Sequence, residues 1–312
     1  MDPLTDVLAL AQVRGTVAAT VHAGDGWGLD IADIPGAAFH VITAGTAWLH
    51  LDGHDSRRLM PGDLVLLPAG SRHRLAAAPG LPCEPFDHVA ARQAMAAGGR
   101  ITVGAGPART RILCASYRHD TMLATPPFGL LPPLLHLPPD PDRPTEHLVR
   151  LLAHEIEAPR AGADTALDRL LDVLLIHIFR AWAETAEPSA SWLTALRDPV
   201  IAAALSALHA DPARPWSLDV LARHVAVSRA TLARRFPALV GETPLAYLTR
   251  WRMELAARRL RTTAEPIGPI ARSVGYTSEY AFNRAFTRVC GTTPGRYRAR
   301  HAPPGDDHPP GE

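Results

Sequence analysis

Arginine is the only strongly basic side chain in this chain, and it is unevenly distributed. The 312 residues contain 32 arginines and no lysine. Residues 192–301 hold 17 arginines against 7 acidic residues, a net charge of +10, whereas residues 1–191 carry a net charge of −6. A guanidinium is a planar fork of donors that suits phosphate oxygens and the edge of guanine. This asymmetry is expected of a nucleic-acid-binding module beside a module of another kind.

The basic segment contains an internal repeat, SLDVLARHVAVSRATLARRF at 217–236 and PIGPIARSVGYTSEYAFNRAF at 266–286. Each copy has an Ala that lets two helices approach, then a small turn residue, then a Ser that can cap the next helix. These pairs are Ala222 and Ala271, Ala226 and Gly275, and Ser228 and Ser278. We therefore predict two helix-turn-helix units.

A long helix over 244–261, with Pro at its start, is expected to bridge the two units. Pro237 is expected to bend or end the second helix of the first unit, because it lacks a backbone donor. The predicted core residues are Leu221, Ala222, Leu232, Phe236, Ile270, Ala271, Phe282 and Phe286. Cys290 is also interpreted as a core residue.

The first 80 residues predict β-structure. Apolar runs at 40–43, 47–51 and 64–67 alternate with turn residues, which is typical of a sandwich or barrel. One more strand is predicted at 111–115, followed by a proline-rich, largely irregular connector at 125–144 and by helices at about 145–157 and 165–184. The second helix has an apolar stripe that indicates either a core helix or a dimer seam. The stripe consists of Leu167, Leu170, Leu171, Leu174, Ile178 and Trp182.

Composition excludes several classes of protein. No apolar run reaches the roughly 18 residues that a membrane span needs. The N-terminus has acid rather than base before its first apolar stretch, which is not the pattern of a secretory signal. The three cysteines, Cys83, Cys114 and Cys290, do not indicate a disulfide framework. We expect a cytoplasmic protein.

The C-terminal segment resembles the DNA-binding domain of AraC/XylS-type bacterial transcription regulators, above all in GYTSEYAFNRAFTRVCGTTPGRYR at 275–298. The N-terminal half resembles the cupin-type sensor of a subgroup of these regulators, in MDPLTDVLAL, in FHVITAGTAWLHLDG at 39–53 and in PGDLVLLPAGSRHRL at 61–75. The second cupin motif has Gly62, Pro68, Gly70 and His73 in place. The first lacks the paired His and the Glu of a metal-dependent cupin enzyme, and Ala38 falls about where that Glu should be.

The resemblance implies an α+β chain of two domains. The N-terminal one is a cupin-like β-barrel with appended helices, and the C-terminal one is all-α with two helix-turn-helix units bridged by a long helix. The expected boundaries are a sensor at 1–124, a connector and helical segment at 125–186, a linker at 187–191, the DNA-binding domain at 192–301 and a disordered tail at 302–312.

By position in the motif, eight residues are expected to face DNA. Arg234 and Arg284 suit guanine, Asn283 suits adenine, and alanine methyls suit thymine. Glu279 could accept from cytosine or only complement its helix N-terminus. The eight are Arg229, Ala230, Ala233, Arg234, Glu279, Tyr280, Asn283 and Arg284.

Histidine and cysteine supply the candidates for sensing. His22, His40 and His73 come from three separate predicted strands, and together with Cys114 they could hold zinc or another divalent metal in the cupin pocket. Alternatively these histidines are ordinary surface or hydrogen-bonded residues. Cys83 and Cys114 are candidate redox sensors if exposed with a lowered pKa, and buried small apolar residues otherwise.

We therefore expect a sequence-specific transcription regulator that binds double-stranded operator DNA as a homodimer. Its cupin domain would respond to a small molecule, a metal or an oxidant. The resemblance implies RNA polymerase as a partner and leaves open whether the protein is an activator or a repressor. The alternatives are a cupin-type metal-dependent enzyme fused to a helical binding module, and a helical adaptor that does not bind DNA.

Overall fold

The computed structural model describes residues 2–32, 34–96, 100–119, 127–157, 160–186 and 191–301, without the side chains of Arg92, Met95 and Ala96. These residues form two compact units. The β-rich unit comprises residues 12–119 and 127–185, and the helical unit comprises residues 2–11, 186 and 191–301, each with the gaps just given. The N-terminal residues thus pack with the helical unit, whereas the sequence places them in the sensor domain.

The β-rich unit consists of two sheets. Its strands are β1 (Arg14–Asp25), β2 (Gly28–Ile31), β3 (Ala37–Ala44), β4 (Ala47–Leu51), β5 (Arg57–Leu59), β6 (Leu64–Leu67), β7 (His73–Ala76), β8 (Glu84–Pro85), β9 (Ile101–Val103), β10 (Ala105–Arg118) and β11 (Leu135–Leu137). The first sheet has the order β11-β6-β3-β10-β1-β9 and the second has the order β5-β4-β7-β2-β8.

Period-two alternation places one face of each strand in a common core. Ala19, Val21 and Ala23 of β1 are buried together with Ile112 of β10 and Leu75 of β7. The predicted runs at 40–43, 47–51 and 64–67 are confirmed as parts of β3, β4 and β6. The connector at 125–144 is less irregular than expected, because β11 joins the sheet edge beside β6 between two proline pairs.

Three α-helices of the described residues belong to this unit: a short α2 (His88–Ala96), α3 (Pro144–Glu157) and α4 (Ala163–Thr185). The predicted stripe of α4 is largely buried, although Leu170 is only half-buried. The Tyr117 hydroxyl donates to the Leu171 carbonyl oxygen at 3.0 Å, and the Gly15 amide donates to Asp172 at 3.2 Å. These bonds join α4 to β1 and β10, so α4 is a core helix of the β-rich unit.

The helical unit begins with α1 (Pro3–Leu10) and continues from residue 191. Its remaining helices are α5 (Trp192–Ala195), α6 (Pro199–Ala210), α7 (Leu218–His224), α8 (Arg229–Val240), α9 (Pro244–Thr262), α10 (Ile267–Ser273), α11 (Glu279–Cys290) and α12 (Pro294–His301). None of the helices within the described ranges combines the length and apolar content that a membrane span requires.

A buried polar network joins α1 to α6 and α9. Asp6 Oδ2 lies 3.2 Å from His209 Nδ1, and His209 Nε2 lies 2.7 Å from the Tyr247 hydroxyl. The His209 ring stacks on Trp251 with 4.1 Å between ring centroids. Burial lowers the pKa of His209 to about 3. The imidazole is therefore neutral, with Nδ1–H donating to Asp6 and Nε2 accepting from Tyr247.

The two helix-turn-helix units are α7 with α8 and α10 with α11. Ser228 and Ser278 cap α8 and α11, accepting from the amides of Thr231 and Ala281 at 3.0 and 3.4 Å. Ala226 and Gly275 take left-handed φ values of +55° and +87° in the turns. All eight predicted core residues are buried, and Cys290 packs half-buried against the second core.

Helix α8 does not end at Pro237. It runs three residues further to Val240, and the Gly241 amide caps it by donating to the Pro237 carbonyl oxygen at 2.9 Å. The proline removes one interior hydrogen bond, but the helix has only one turn left to complete.

Candidate nucleic-acid interface and internal cavity

The second helices of both helix-turn-helix units present their expected residues outward. Arg229, Ala230, Ala233 and Arg234 on α8 are all exposed. The Arg234 side chain is exposed and forms no ion pair or hydrogen bond with the described residues, so its guanidinium is available for a partner. The alanine methyls beside it leave room for close approach of another surface.

Helix α11 presents a more varied face. Tyr280 is 72% exposed, which is unusual for so large a ring. The Arg284 guanidinium lies over the Tyr280 ring, 5.9 Å from its centroid. Asn283 is half-buried and its side-chain amide donates to the Glu279 carbonyl oxygen at 2.9 Å. Thr287 and Arg288 extend the same exposed surface.

The first residue after each capping serine turns back toward the preceding helix. Arg229 Nε lies 3.7 Å from Asp219 Oδ1 on α7. Glu279 leans against Gly268 on α10, so closely that a Cβ at Gly268 would lie 2.2 Å from Glu279 Oε1. Asp219 and Gly268 hold matching positions in the two repeats. This geometry favours a positioning role for Arg229 and Glu279.

Several other arginines of the helical unit are occupied by contacts within it. Arg235 Nε donates to Asp198 at 2.6 Å. Arg250 is held between Glu242 and Glu254, with oxygens at 2.7 and 3.1 Å. Arg259 pairs with Glu265 at 2.5 Å. The arginines that remain exposed on α8 and α11 are therefore the best placed for an anionic partner.

The β-rich unit contains a cavity of about 360 Å³. Its walls are mostly apolar and come from β1, β2, β3, β10 and the segment around α2. Val17, Ala18, Ile31, Ile34 and Phe86 form much of the apolar lining. The volume lies near the lower end of the roughly 300–1,000 Å³ usual for small-molecule sites.

A chain of hydrogen bonds between the two sheets ends at this cavity. His73 Nδ1 lies 2.7 Å from the Ser71 carbonyl oxygen, His73 Nε2 lies 2.8 Å from His40 Nε2, and His40 Nδ1 lies 3.1 Å from Cys114 Sγ. Because a carbonyl only accepts, His73 Nδ1 carries a proton and Nε2 accepts. His40 then donates through Nε2 and accepts the Cys114 S–H at Nδ1. Each of the three hydrogen bonds therefore has one donor and one acceptor.

The three hydrogen-bonded side chains, His40, His73 and Cys114, are all neutral. Burial lowers the pKa of His40 well below its usual value and also lowers the pKa of His73. Burial raises the pKa of the Cys114 thiol to about 12. An apolar surrounding disfavours the charged form of each group. The deep wall of the cavity therefore carries no charge.

The structure brings together three of the four predicted metal ligands, but not in a chelating arrangement. Two ligand atoms about 2.0–2.1 Å from one tetrahedral ion lie roughly 3.3–3.4 Å apart. The His40 and His73 nitrogens are closer than that, and His40 turns its other nitrogen to Cys114. Among the described residues, no group of three or more His, Cys, Asp or Glu side chains could hold a metal ion. The donor set does not fit a cupin metal centre.

His22 lies on the other face of its strand, contrary to the expected convergence. It pairs across the sheet with Arg111, whereas Cys114 pairs with Ala19 on β1 and with His40 on β3. A β-bulge between Val17 and Ala19 sets this register. His22 is half-buried, and its pKa is lowered by burial and by neighbouring arginines.

Neither cysteine of the β-rich unit has the environment of a reactive thiolate. Cys83 is half-buried and its Sγ donates weakly to the Leu81 carbonyl oxygen at 3.5 Å. Burial raises its pKa, as it does that of Cys114. Redox-sensing cysteines instead have lowered pKa values and solvent access. The expected redox role finds no support in this geometry.

Comparison with known proteins identifies both halves of the chain. A cupin family matches residues 2–184, and a helix-turn-helix domain family matches residues 221–300. An AraC-like transcription regulator of Streptomyces lividans is 38% identical over 96% of this chain and 98% of its own length. One from Streptomyces antibioticus is 37% identical over 97% of this chain and 100% of its own length.

Among solved structures, a transcriptional regulator from Chromobacterium violaceum with an AraC-type DNA-binding domain is 32% identical, covering 36% of this chain and 99% of that one, with a TM-score of 0.33. The relatives named above are transcription regulators and not enzymes by name. The chain belongs to the AraC-type family of DNA-binding transcription regulators and carries a cupin domain in its N-terminal half.

Proposed function

We propose that this chain is a one-component regulator that binds operator DNA through α8 and α11 and responds to an effector in the cavity of its β-rich unit. The observation that carries the DNA-binding half is the pair of exposed arginines Arg234 and Arg284, one on the second helix of each helix-turn-helix unit, within a segment (192–301) whose net charge is +10. Each guanidinium can donate two hydrogen bonds to guanine O6 and N7 in a major groove.

The two helices read DNA unequally in this proposal. Helix α8 offers Arg234 beside the methyl groups of Ala230 and Ala233, which suit guanine beside thymine. Helix α11 offers Arg284 and Asn283, with the exposed Tyr280 alongside. Asn283 can keep its bond to the Glu279 carbonyl while it meets adenine, because its amide nitrogen has a second N–H and its Oδ1 can accept.

The outer face of α4 supports a homodimer. Val173 is 42% exposed, and Leu170 and His177, at three- and four-residue steps from it, are half-buried. We infer that this apolar strip meets a second copy, which would place two DNA-binding units on one operator. The DNA-bound protein would act on transcription by RNA polymerase, as its family implies.

Selection from a random pool of DNA duplexes tests the DNA-binding function. The full chain is expected to enrich one sequence motif, and Arg234→Ala and Arg284→Ala should each loosen a different position of it. Enrichment of no motif, together with affinity that falls with salt identically for every duplex, would show non-specific binding and overturn the proposal. A metal-dependent cupin enzyme gains no support from the donor set of His40, His73 and Cys114.

A further inference from the structure

Along one face of β10, the side chains become more polar and more exposed from the bottom of the cavity to its mouth. Cys114, Ser116 and Arg118 alternate along the strand and all line the cavity. Cys114 is buried, Ser116 is half-buried and Arg118 is exposed. The wall therefore runs from a neutral thiol through a hydroxyl to a guanidinium.

The neighbouring strand β1 places a second arginine, Arg14, beside Arg118, although Arg14 does not itself line the cavity. In the register of β1 and β10, Thr16 stands opposite Ser116 and Arg14 stands opposite Arg118. Directly opposed residues of an antiparallel pair share a face of the sheet, and like charges so placed repel. An anion between the two guanidiniums would relieve that repulsion.

The described residues supply no carboxylate for this position. None of those lining the cavity is acidic, and no ion pair is recorded for Arg14 or Arg118 within the described chain. Among the described residues, the Arg14 side chain hydrogen-bonds only to the neighbouring Val13 carbonyl oxygen, at 3.3 Å. Arg118 thus makes the mouth of the cavity positive, and no acidic side chain of the lining offsets its charge.

The deep end offers little to a polar ligand. Both nitrogens of His40 are engaged, one by Cys114 and one by His73. The deep end is lined by the Cys114 thiol and by apolar side chains such as Val17, Ile31 and Phe86. An apolar ligand body is favoured there, because a polar group would lose its water without gaining a partner.

We propose that the cavity binds a small amphipathic carboxylic acid, whose apolar body lies between the sheets and whose carboxylate meets Arg118 and Arg14, with Thr16 and Ser116 as hydroxyl donors. The volume of about 360 Å³ suits a single substituted ring or a medium-length chain. This inference rests on the proposed function only in naming the acid as the effector, since the binding site stands on the β-rich unit alone.

Calorimetric titration of the full chain with matched acids and amides tests the chemistry. The probes are benzoate, salicylate, hexanoate, octanoate and decanoate, each with its neutral amide. At least one acid is expected to bind, and its amide to bind at least tenfold more weakly. Equal binding of acid and amide, or binding by none of the five acids, would overturn the proposal.

Substitutions at the mouth provide the matched test. Arg118→Gln should weaken acid binding at least tenfold and leave amide binding unchanged, whereas Arg118→Lys should keep part of the acid preference. Arg109→Gln is the control, because Arg109 lies on the same strand, is exposed and does not line the cavity. Unchanged acid binding in Arg118→Gln, or an equal loss in the control, would contradict the assigned role. Melting temperatures of the unliganded variants show whether each one folds.

DNA binding, measured on the same preparations, separates the two proposals. If the chain binds a selected duplex but no acid, the ligand assignment fails and the DNA-binding function stands. If acids bind and no duplex is preferred, the proposed function fails and the site stands. If the preferred acid also shifts duplex affinity in the wild type and not in Arg118→Gln, the acid is an effector.

Discussion

His40 and His73 meet between the two sheets of the β-rich unit, with their Nε2 atoms 2.8 Å apart. His40 belongs to β3 of the first sheet and His73 to β7 of the second, so the contact joins the sheets through their core. It is a hydrogen bond between two neutral imidazoles, fixed in direction by the Ser71 carbonyl at one end and the Cys114 thiol at the other. Three of the four residues that suggested a metal centre, His40, His73 and Cys114, therefore form a series of hydrogen bonds instead.

The hydrogen bonds among His40, His73 and Cys114 lead to a first prediction, about metal content. Freshly purified protein should carry no stoichiometric divalent metal, and added zinc should leave its melting temperature unchanged. His40→Ala should destabilise the β-rich unit by roughly 2–4 kcal/mol, because it leaves a cavity and unpairs two buried groups. Elemental analysis and urea denaturation measure both. One zinc per chain, lost in His40→Ala with His73→Ala, would show that the histidines rearrange into a metal site.

A second prediction concerns the base-reading arginines. Arg284→Ala should cost roughly 1–3 kcal/mol of binding to a selected duplex and should reduce discrimination at one base pair. Arg58→Ala is the charge-matched control, since Arg58 is an exposed arginine of the β-rich unit. Fluorescence anisotropy against the selected duplex and its single-base variants measures the effect. A loss of affinity that is the same for every duplex would instead identify Arg284 as a phosphate contact.

The helix-turn-helix turns give a third prediction. Gly275 has φ +87°, and a Cβ there would lie 2.6 Å from the Ala213 carbonyl oxygen. Gly275→Ala should therefore destabilise the helical unit by roughly 1–3 kcal/mol. Ala226→Gly, at the matching turn with φ +55°, should change stability by less than about 1 kcal/mol, because relief of strain offsets the entropy of glycine. Urea denaturation compares the pair, and equal effects would contradict the assignment.

The repeat in the helical unit was the most predictable part of the chain. Caps, turns and core residues are local properties, and each leaves a residue type at a fixed spacing, such as Ser228 before α8 and Gly275 before α11. The short helix α1 was not predicted, although Asp2 and Pro3 form a good start signal. Its eight residues become helical because Leu4, Val7 and Leu10 are buried in the helical unit, far along the chain.

The cavity depended on information that spacing does not carry. The sequence indicated that His22, His40, His73 and Cys114 lie on strands, but the face that each occupies depends on strand register. The bulge at Val17 to Ala19 and the pairing of His22 with Arg111 decide this, and both are tertiary properties. The pairing of Arg14 with Arg118 at the cavity mouth could not be predicted either, because the two residues are more than a hundred positions apart in sequence.

The buried His209 provides a last prediction, on pH. Its pKa is about 3 in the folded chain, against an ordinary value of 6.5, because burial disfavours the imidazolium. Between those values the unfolded chain binds a proton that the folded chain does not. Acidification from pH 6.5 toward pH 3 should therefore lower stability, with a slope of up to about 1.4 kcal/mol per pH unit from this group.

A variant isolates the contribution of His209 from that of other groups. Asp6 acts in the opposite direction, since burial raises its pKa and the folded chain then binds its proton first. His209→Gln cannot titrate, yet it can still hydrogen-bond to Asp6 and Tyr247. Its stability, measured by urea denaturation from pH 7 to pH 4, should be lower than that of the wild type at pH 7, with the gap narrowing as the pH falls. A constant gap would mean that folding leaves the pKa of His209 near its ordinary value, and a gap that widens as the pH falls from 7 would mean that the folded chain holds the proton, so that the contact with Asp6 is an ion pair.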